Sequence, residues 1–394
     1  MTAGLPSFKA HFARALAAAD GRIHLAAHSH HLWPDASFAG QCQAWQDAAT
    51  LWDAKWQHVL GTLLPAVQRQ IARRLGLDDP AAIAIAPNTH DLLRRLLSAC
   101  PPGRAPRVLT TDGEFHTASR QFARLAEDGL LRLTQVAVQP FADFPARFAA
   151  AAASGAQDLV FFSHVFFGSG YAVPDPARLV AAVPHADTLI AIDGYHGFMA
   201  VPTDLAAIRH RAFYLAGGYK YAMAGEGVCF LHCPPGVAPR PRDPGWFAGF
   251  GALAATPNAV GYAPDGSRFM GATFDPSGLY RLHAVLAWLE ALGLSVADIH
   301  ARAVALQQAL LMALHRHDIP GLRAADLVLP AGHAARGNFL AFASGQAAAL
   351  QARLEAAGII TDRRGDTLRI GFGLYHDIAD IPGIAARIAA AVGC

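Results

Sequence analysis

Short apolar runs bounded by glycine, proline and polar clusters recur through the first two thirds of the chain, at residues 82–86, 107–111, 131–138, 159–165, 188–192, 212–216 and 228–232. Between most of them lie stretches with helical spacing of apolar positions, such as 91–99, 118–126 and 176–182. This alternation predicts an α/β fold with a mostly parallel, mixed sheet covered by helices, since parallel strands buried on both faces read as continuous apolar runs. In open sheets of this kind ligands bind beyond the carboxyl ends of the strands. Residues just after each run are therefore where function is expected.

The texture changes after Pro234, where a segment rich in proline, glycine and alanine runs to about Pro264 and reads as a long surface connection. A strong helical pattern follows over 277–317, then candidate strands near Leu327 and at 339–342 and 368–372, with a helix at 347–357 among them. That mixture suits a smaller α+β lobe. Residues 1–40 carry a strand signal only at 23–26 and are expected to pack as an arm on that lobe. The predicted organisation is an N-terminal arm (1–40), a large domain (41–255) and a small C-terminal domain (256–394). Two lobes also agree with size: 394 residues at 53% hydrophobic composition exceed the ~250–300 residues at which single cores stop growing.

Charge narrows the partners. With 32 basic and 30 acidic residues and no basic stripe, the chain lacks the electrostatic footprint that nucleic acid demands. No apolar run approaches the ~20 residues of a membrane span, and Lys9, Arg14, Asp20 and Arg22 interrupt the N-terminal segment where a signal peptide would be apolar. A cytoplasmic protein acting on a small molecule is expected. The five cysteines, at 42, 100, 229, 233 and 394, form no CxxC pair, so no disulfide framework is expected. Cys229, His232 and Cys233 fall in an apolar run that reads as a buried strand. His28-Ser29-His30-His31 lacks the spacing of a metal site, and no metal is expected.

The candidate chemistry starts from a scarcity. Only three of the 32 basic residues are lysine, Lys9, Lys55 and Lys220, and Lys220 lies in the glycine-rich Gly217-Gly218-Tyr219-Lys220-Tyr221 segment that continues to Gly227. An ammonium that can lose its proton can attack a carbonyl and form a Schiff base, which a guanidinium cannot. Asp193 ends the run Ile190-Ala191-Ile192, with His196 three residues on. If the strands ending near Asp193 and Ala216 are neighbours, Asp193 and Lys220 converge on one crevice, where an aspartate can keep a pyridine nitrogen protonated and a lysine can carry an aldehyde. Asn88, Thr89 and His90 follow a strand and open a helix, which offers an anion cradle of backbone N–H groups and a hydroxyl. Phe115, just after another strand, offers a stacking face.

Together these segments resemble the class V aminotransferase group of fold type I pyridoxal-phosphate enzymes, and within it kynureninase, over nearly the whole chain. The resemblance rests on residues 188–198 with their Asp-x-x-His, on Gly218-Tyr219-Lys220-Tyr221, on Ser163-His164-Val165 with Gly170-Tyr171 and Asp175, on Gly245-Trp246-Phe247, on Arg268-Phe269-Met270-Gly271-Ala272-Thr273, and on Leu368-Arg369-Ile370-Gly371-Phe372 with Leu374-Tyr375. It implies pyridoxal 5′-phosphate as cofactor, Lys220 as the Schiff-base amine, Asp193 at the pyridine nitrogen with His196 beside it, and Phe115 stacked on the ring. It further implies cofactor contacts from Asn88, Thr89, His90, His164 and Tyr219. Trp246 and Thr273 would approach the cofactor phosphate or the substrate, with part of each site donated across the interface of a homodimer with shared active sites. Arg369 would clamp the substrate's α-carboxylate, a role the bidentate fork of guanidinium suits on its own account, and His30 would sit on the substrate side.

Kynureninase-like hydrolytic Cβ–Cγ cleavage of an amino acid, releasing alanine, is the activity this resemblance implies; class V amino transfer to a keto acid is the alternative, with a cofactor-free scaffold as the non-enzymatic one. Phe166-Phe167 replace the usual Asn-Tyr, Ala118 stands near Phe115 where an acid is common, and residues 28–35 carry histidines and Trp33 in place of Asn-Ser-Leu-Gly. A more apolar pocket and a different acyl or side-chain group are expected. Cysteine desulfuration would require a mobile nucleophilic cysteine before Arg369, and none lies between Leu311 and Arg369.

Overall fold

The computed structural model describes residues 5–253 and 259–393. A short strand, β1 (Ile23–His24), precedes the main sheet, whose strands are β2 (Ile83–Ala86), β3 (Arg107–Thr111), β4 (Arg132–Val136), β5 (Leu159–Ser163), β6 (Leu189–Asp193), β7 (Phe213–Gly217) and β8 (Cys229–His232). They lie in the order β2-β8-β7-β6-β5-β3-β4. Only β8 runs antiparallel to its neighbours, so the sheet is mixed and mostly parallel. The central strands are buried on both faces, from Leu159 to Phe162 and from Phe213 to Ala216, which is why they read as unbroken apolar runs. Helix Thr89–Ala99 covers the sheet with Leu92, Leu93 and Leu96, one apolar stripe at helical spacing.

The second body is built on a three-stranded antiparallel sheet of β9 (Phe339–Ala343), β11 (Asp362–Arg364) and β12 (Thr367–Gly371), in the order β11-β12-β9. Strand β10 (Ile359–Ile360) pairs instead with β1, in parallel. Ala26 bridges Gly371, so residues 23–26 of the N-terminal segment are stitched to this sheet. Phe8 and Phe12 join the larger core. The arm therefore spans both bodies.

The helical pattern expected over 277–317 is two helices, Ser277–Ala291 and Val296–His315, bent by 85°. Gly293 supplies a positive φ of 64° that ends the first helix. Ser295 then starts the second with a capping box: its hydroxyl accepts from the Asp298 N–H at 3.1 Å, and the Asp298 carboxylate accepts from the Ser295 N–H at 3.0 Å. Leu279 to Leu289 pack in the larger core and Leu306 to Leu314 in the smaller, so the change of core falls inside the second helix. Two helices, Asp35–Leu51 and Leu64–Leu75, were not anticipated from the sequence. Among the described residues no single helix is long and apolar enough to cross a membrane.

Candidate active site

Strands β6 and β7 are parallel neighbours, with Asp193 opposite Leu215. Asp193 therefore leaves the sheet beside the segment that leads to Lys220. Both line one cavity of about 220 Å³, together with Asn88, Thr89, His90, Phe115, Ser163, Val165, Phe167, Tyr195, His196 and Tyr219. The Lys220 ammonium faces aromatic rings, 4.5 Å from the centroid of Tyr195, 5.3 Å from Phe115 and 5.6 Å from Tyr219. Burial lowers its pKa to about 7 against the upward pull of Asp193, leaving much of the amine unprotonated at neutral pH. Withdrawal from solvent pushes the Asp193 carboxyl upward, opposed by the Tyr195 N–H that it accepts at 2.9 Å.

The turn beyond Lys220 is held by backbone bonds from Met223 N–H to the Lys220 carbonyl (2.9 Å), Ala224 N–H to Gly218 (2.8 Å) and Gly218 N–H to Val228 (2.9 Å). Gly225 closes it at a φ of +72°, with the Trp33 indole occupying the place a Cβ would take. Gly225→Ala is expected to cost about 1–3 kcal/mol, read as a lower denaturant midpoint at unchanged slope.

At the cavity's other end, Asn88 caps helix Thr89–Ala99 by accepting the Asp91 N–H at 2.9 Å. The first-turn N–H groups of Thr89 and His90 belong to a helix terminus that suits an anion. His196 is buried, its Nδ1 has no partner, and desolvation holds its pKa well below the usual histidine value. The imidazole is neutral.

Five expected site residues, His164, Trp246, Thr273, His30 and Arg369, do not line this cavity. His164 follows β5 between Ser163 and Val165, and period-two alternation sends it to the opposite side, into a separate cavity of about 570 Å³ with Asp175, Tyr214, His300 and Arg336. Ser163 and Val165, on either side of it, line the cavity with Lys220 instead. Trp246 and Thr273 are exposed, on adjacent segments joined by the Phe247 N–H to the Gly271 carbonyl at 3.1 Å. His30 is exposed at the rim, stacked on Tyr219 at 4.8 Å with Nε2 3.6 Å from Glu226. Of the two phenylalanines replacing Asn-Tyr, Phe167 lines the cavity, while Phe166 packs in the core against Phe144 at 5.5 Å.

Arg369 stands behind Phe167 and Phe339, its guanidinium carbon 5.9 and 5.5 Å from their ring centroids. It is almost wholly buried and donates to the Phe167 carbonyl and to the Asp362 carboxylate.

Sequence reasoning missed a buried network under the cavity. The Ser163 hydroxyl donates to Glu114 Oε2 at 2.6 Å, while Glu114 Oε1 accepts from the Thr111 hydroxyl at 2.6 Å and the Ser163 N–H at 3.1 Å. Burial, with a further push from Asp193, raises the Glu114 pKa to about 8. The only signal was an acid three residues beyond a strand end. Because the folded state retains a proton that the unfolded chain loses above its ordinary pKa, Glu114 costs stability as pH rises from about 4.5 to 8. Glu114→Gln is therefore expected to exceed the wild type by on the order of 1 kcal/mol at pH 8, with the gap closing towards pH 4.5; paired unfolding curves across that range check it. Cys229, read as a strand residue, is one and also lines the cavity, its Sγ 3.6 Å from the Tyr195 hydroxyl. Burial raises its thiol pKa to about 12, so it stays protonated.

Comparison with known proteins places this geometry. The kynureninase C-terminal domain family matches residues 299–388. Isopenicillin N epimerase of Streptomyces clavuligerus is 30% identical over 177 residues, 44% of each chain; the chain spans about half the length of the curated relatives it matches. A structure of C-DES, a mutant with glycine covalently linked to its PLP cofactor, superposes with a TM-score of 0.80 at 19% identity, covering 98% of this chain and 99% of that one. The chain has the type I fold of these structures. A cysteine desulfurase from Thermococcus onnurineus NA1 gives a TM-score of 0.78 at 14% identity over 99% of both chains, so the shared fold extends over arm, sheet and small body alike.

Proposed function

We propose that this chain is a pyridoxal-phosphate-dependent enzyme that cleaves the Cβ–Cγ bond of a β-acyl amino acid by hydrolysis and releases alanine. What carries the reading is the convergence of Lys220 and Asp193 from adjacent parallel strands on one cavity that ends at a helix N-terminus, together with the kynureninase match in the small body. The residues fit the cofactor by their chemistry. Thr89, His90 and the first-turn N–H groups would hold its phosphate with Asn88 and Tyr219 alongside, Phe115 would lie on its ring, and Asp193 would face the ring nitrogen with His196 beside it.

Pyridoxal phosphate supplies an aldehyde that captures amines and a ring that draws electrons away from Cα. Lys220 would hold that aldehyde, and its amine would move a proton at the substrate's Cα. Its depressed pKa suits both tasks near neutral pH. Asp193, hard to ionise without a partner, gains one when a cationic ring nitrogen is present. Phe115, Phe167 and Val165 exclude water from the reacting centre. Arg369 receives the substrate carboxylate, and Trp246 and Thr273, exposed on one surface, reach the site of a second copy in a homodimer.

Incubation with β-acyl amino acids of the kynurenine type, with no keto acid present, is expected to release alanine. Alanine only when a keto acid is supplied would replace hydrolysis by amino transfer. Because the Streptomyces relative is an epimerase, inversion at Cα without cleavage is the second reading, and the same incubation on a chiral column detects it.

A further inference from the structure

Arg369 and Asp362 stand directly opposite each other across the antiparallel pair β11 and β12. Cross-strand partners of opposite charge at that spacing meet side to side, and here the Asp362 Oδ2 accepts from Arg369 Nη2. The guanidinium that the proposed function gives to the substrate's carboxylate is thus already holding one. The pair lies at the protein's interior edge: the Arg369 side chain is 2% exposed and that of Asp362 12%.

Asp362 also has a second cation. Its other oxygen, Oδ1, accepts from Arg364 Nη1 at 2.8 Å, and the Arg364 side chain reaches towards solvent at 36% exposure. His28 packs against the same cluster, stacked on Phe339 at 4.5 Å with Nε2 3.6 Å from Asp362 Oδ2, and neither ring nitrogen has a hydrogen-bond partner. Two guanidinium groups therefore share one carboxylate. The cluster has one positive charge in excess, and the Nε groups of both arginines are buried and unpartnered, so donors for one further carboxylate are in place. Two carboxylates on Arg369 would repel each other, whereas one on each arginine would not.

We propose that Asp362 is a specificity-determining residue that occupies Arg369 before substrate arrives and passes to Arg364 alone when the substrate's carboxylate takes its place. This rests on the reading of Arg369 as the carboxylate receptor. A ligand that brings a carboxylate can complete the exchange, since the number of ion pairs is conserved; a simple amine cannot, and would leave Arg369 paired to Asp362. The substrate class this selects is the free amino acid with an unblocked monocarboxylate, in preference to an amide or an amine of the same side chain.

The test uses the holoenzyme with acetate and propionate as carboxylate probes, titrated by calorimetry. Asp362→Asn, nearly isosteric, is expected to tighten both by at least tenfold; unchanged or weaker binding overturns the proposal. Arg364→Gln, which removes the alternative partner, is expected to weaken both by a similar factor and reads the idea even if the asparagine variant fails to fold; unchanged or tighter binding there overturns it too. A crystal structure with propionate bound should place Asp362 on Arg364 and off Arg369. Asp362 still on Arg369 with propionate bound counts against it. A holoenzyme that exchanges carboxylates as expected but never reacts with an amino acid would sink the functional reading and leave this one standing.

Discussion

Lys220→Ala is expected to abolish the visible colour of the cofactor-loaded protein and to lower turnover of any amino-acid substrate by three orders of magnitude or more. Nothing else in the cavity can replace the amine. The Cys229 thiol is held protonated by burial, the His196 imidazole is not a primary amine and cannot form a Schiff base, and Arg369, behind Phe167, carries a guanidinium that cannot attack a carbonyl. The pKa of about 7 adds a second expectation: in the cofactor-free protein the lysine should titrate near neutrality, visible as a pH-dependent rate of modification by a carbonyl reagent that the alanine variant lacks. Lys220→Arg separates charge from nucleophilicity, because it keeps the cation and is expected to be as inactive as alanine. Retention of colour and turnover in either variant would dismiss the lysine from the chemistry.

Acidification is expected to open the N-terminal arm. His24, His31 and His376 meet where the arm crosses the turn after β12, tied by His24 Nδ1 to the Tyr375 hydroxyl at 2.6 Å, His31 Nδ1 to the Leu32 carbonyl at 2.7 Å, and the Gly373 N–H to His376 Nδ1 at 3.2 Å. Burial holds their pKa values at about 4, 3 and 3. For a histidine depressed in the folded state, the stabilisation is complete above the unfolded value near 6.5 and is lost as pH falls through the folded one, because the unfolded chain takes up the protons first. At ~1.4 kcal/mol per unit, three such shifts together rival the ~5–15 kcal/mol that holds a domain. The arm should therefore give way before all three are protonated. Hydrogen exchange of residues 23–31 between pH 6.5 and 4 is the measurement, with early loss of protection there and retained protection in β5 and β6 as the expected result. His376→Gln should flatten the dependence, and an unchanged profile in that variant would refute the assignment.

Much of this was legible in the chain. Strands such as β2 and β7 were anticipated to within a residue because burial along their whole length leaves no charged residue to blur their ends. Lys220 and Asp193 were found for the same reason: each is a charged residue set just past such a run. His164 lines a different cavity because a motif names neighbours without saying which side of the sheet each faces, and alternation at β5 turns Ser163 and Val165 towards Lys220. The helix Asp35–Leu51 escaped notice since its apolar positions do not all point inward; Trp45 is 71% exposed, which spoils the periodicity. The break at Gly293 and Ser295 was a stop and start signal overridden by a strong pattern on either side. Asp362 was invisible for a different reason. Nothing local in Asp362-Arg363-Arg364 says that register, seven residues on, will set an acid against the arginine that matters.

The parallel pairing of β1 with β10, and the bridge from Ala26 to Gly371, bind the beginning of the polypeptide to the strand that carries Arg369. Trimming or fusing the amino terminus is thus mechanically close to Arg369, although the two are more than three hundred residues apart in the chain. A leader that pulls on residues 23–28 would load β12 and its buried arginine first.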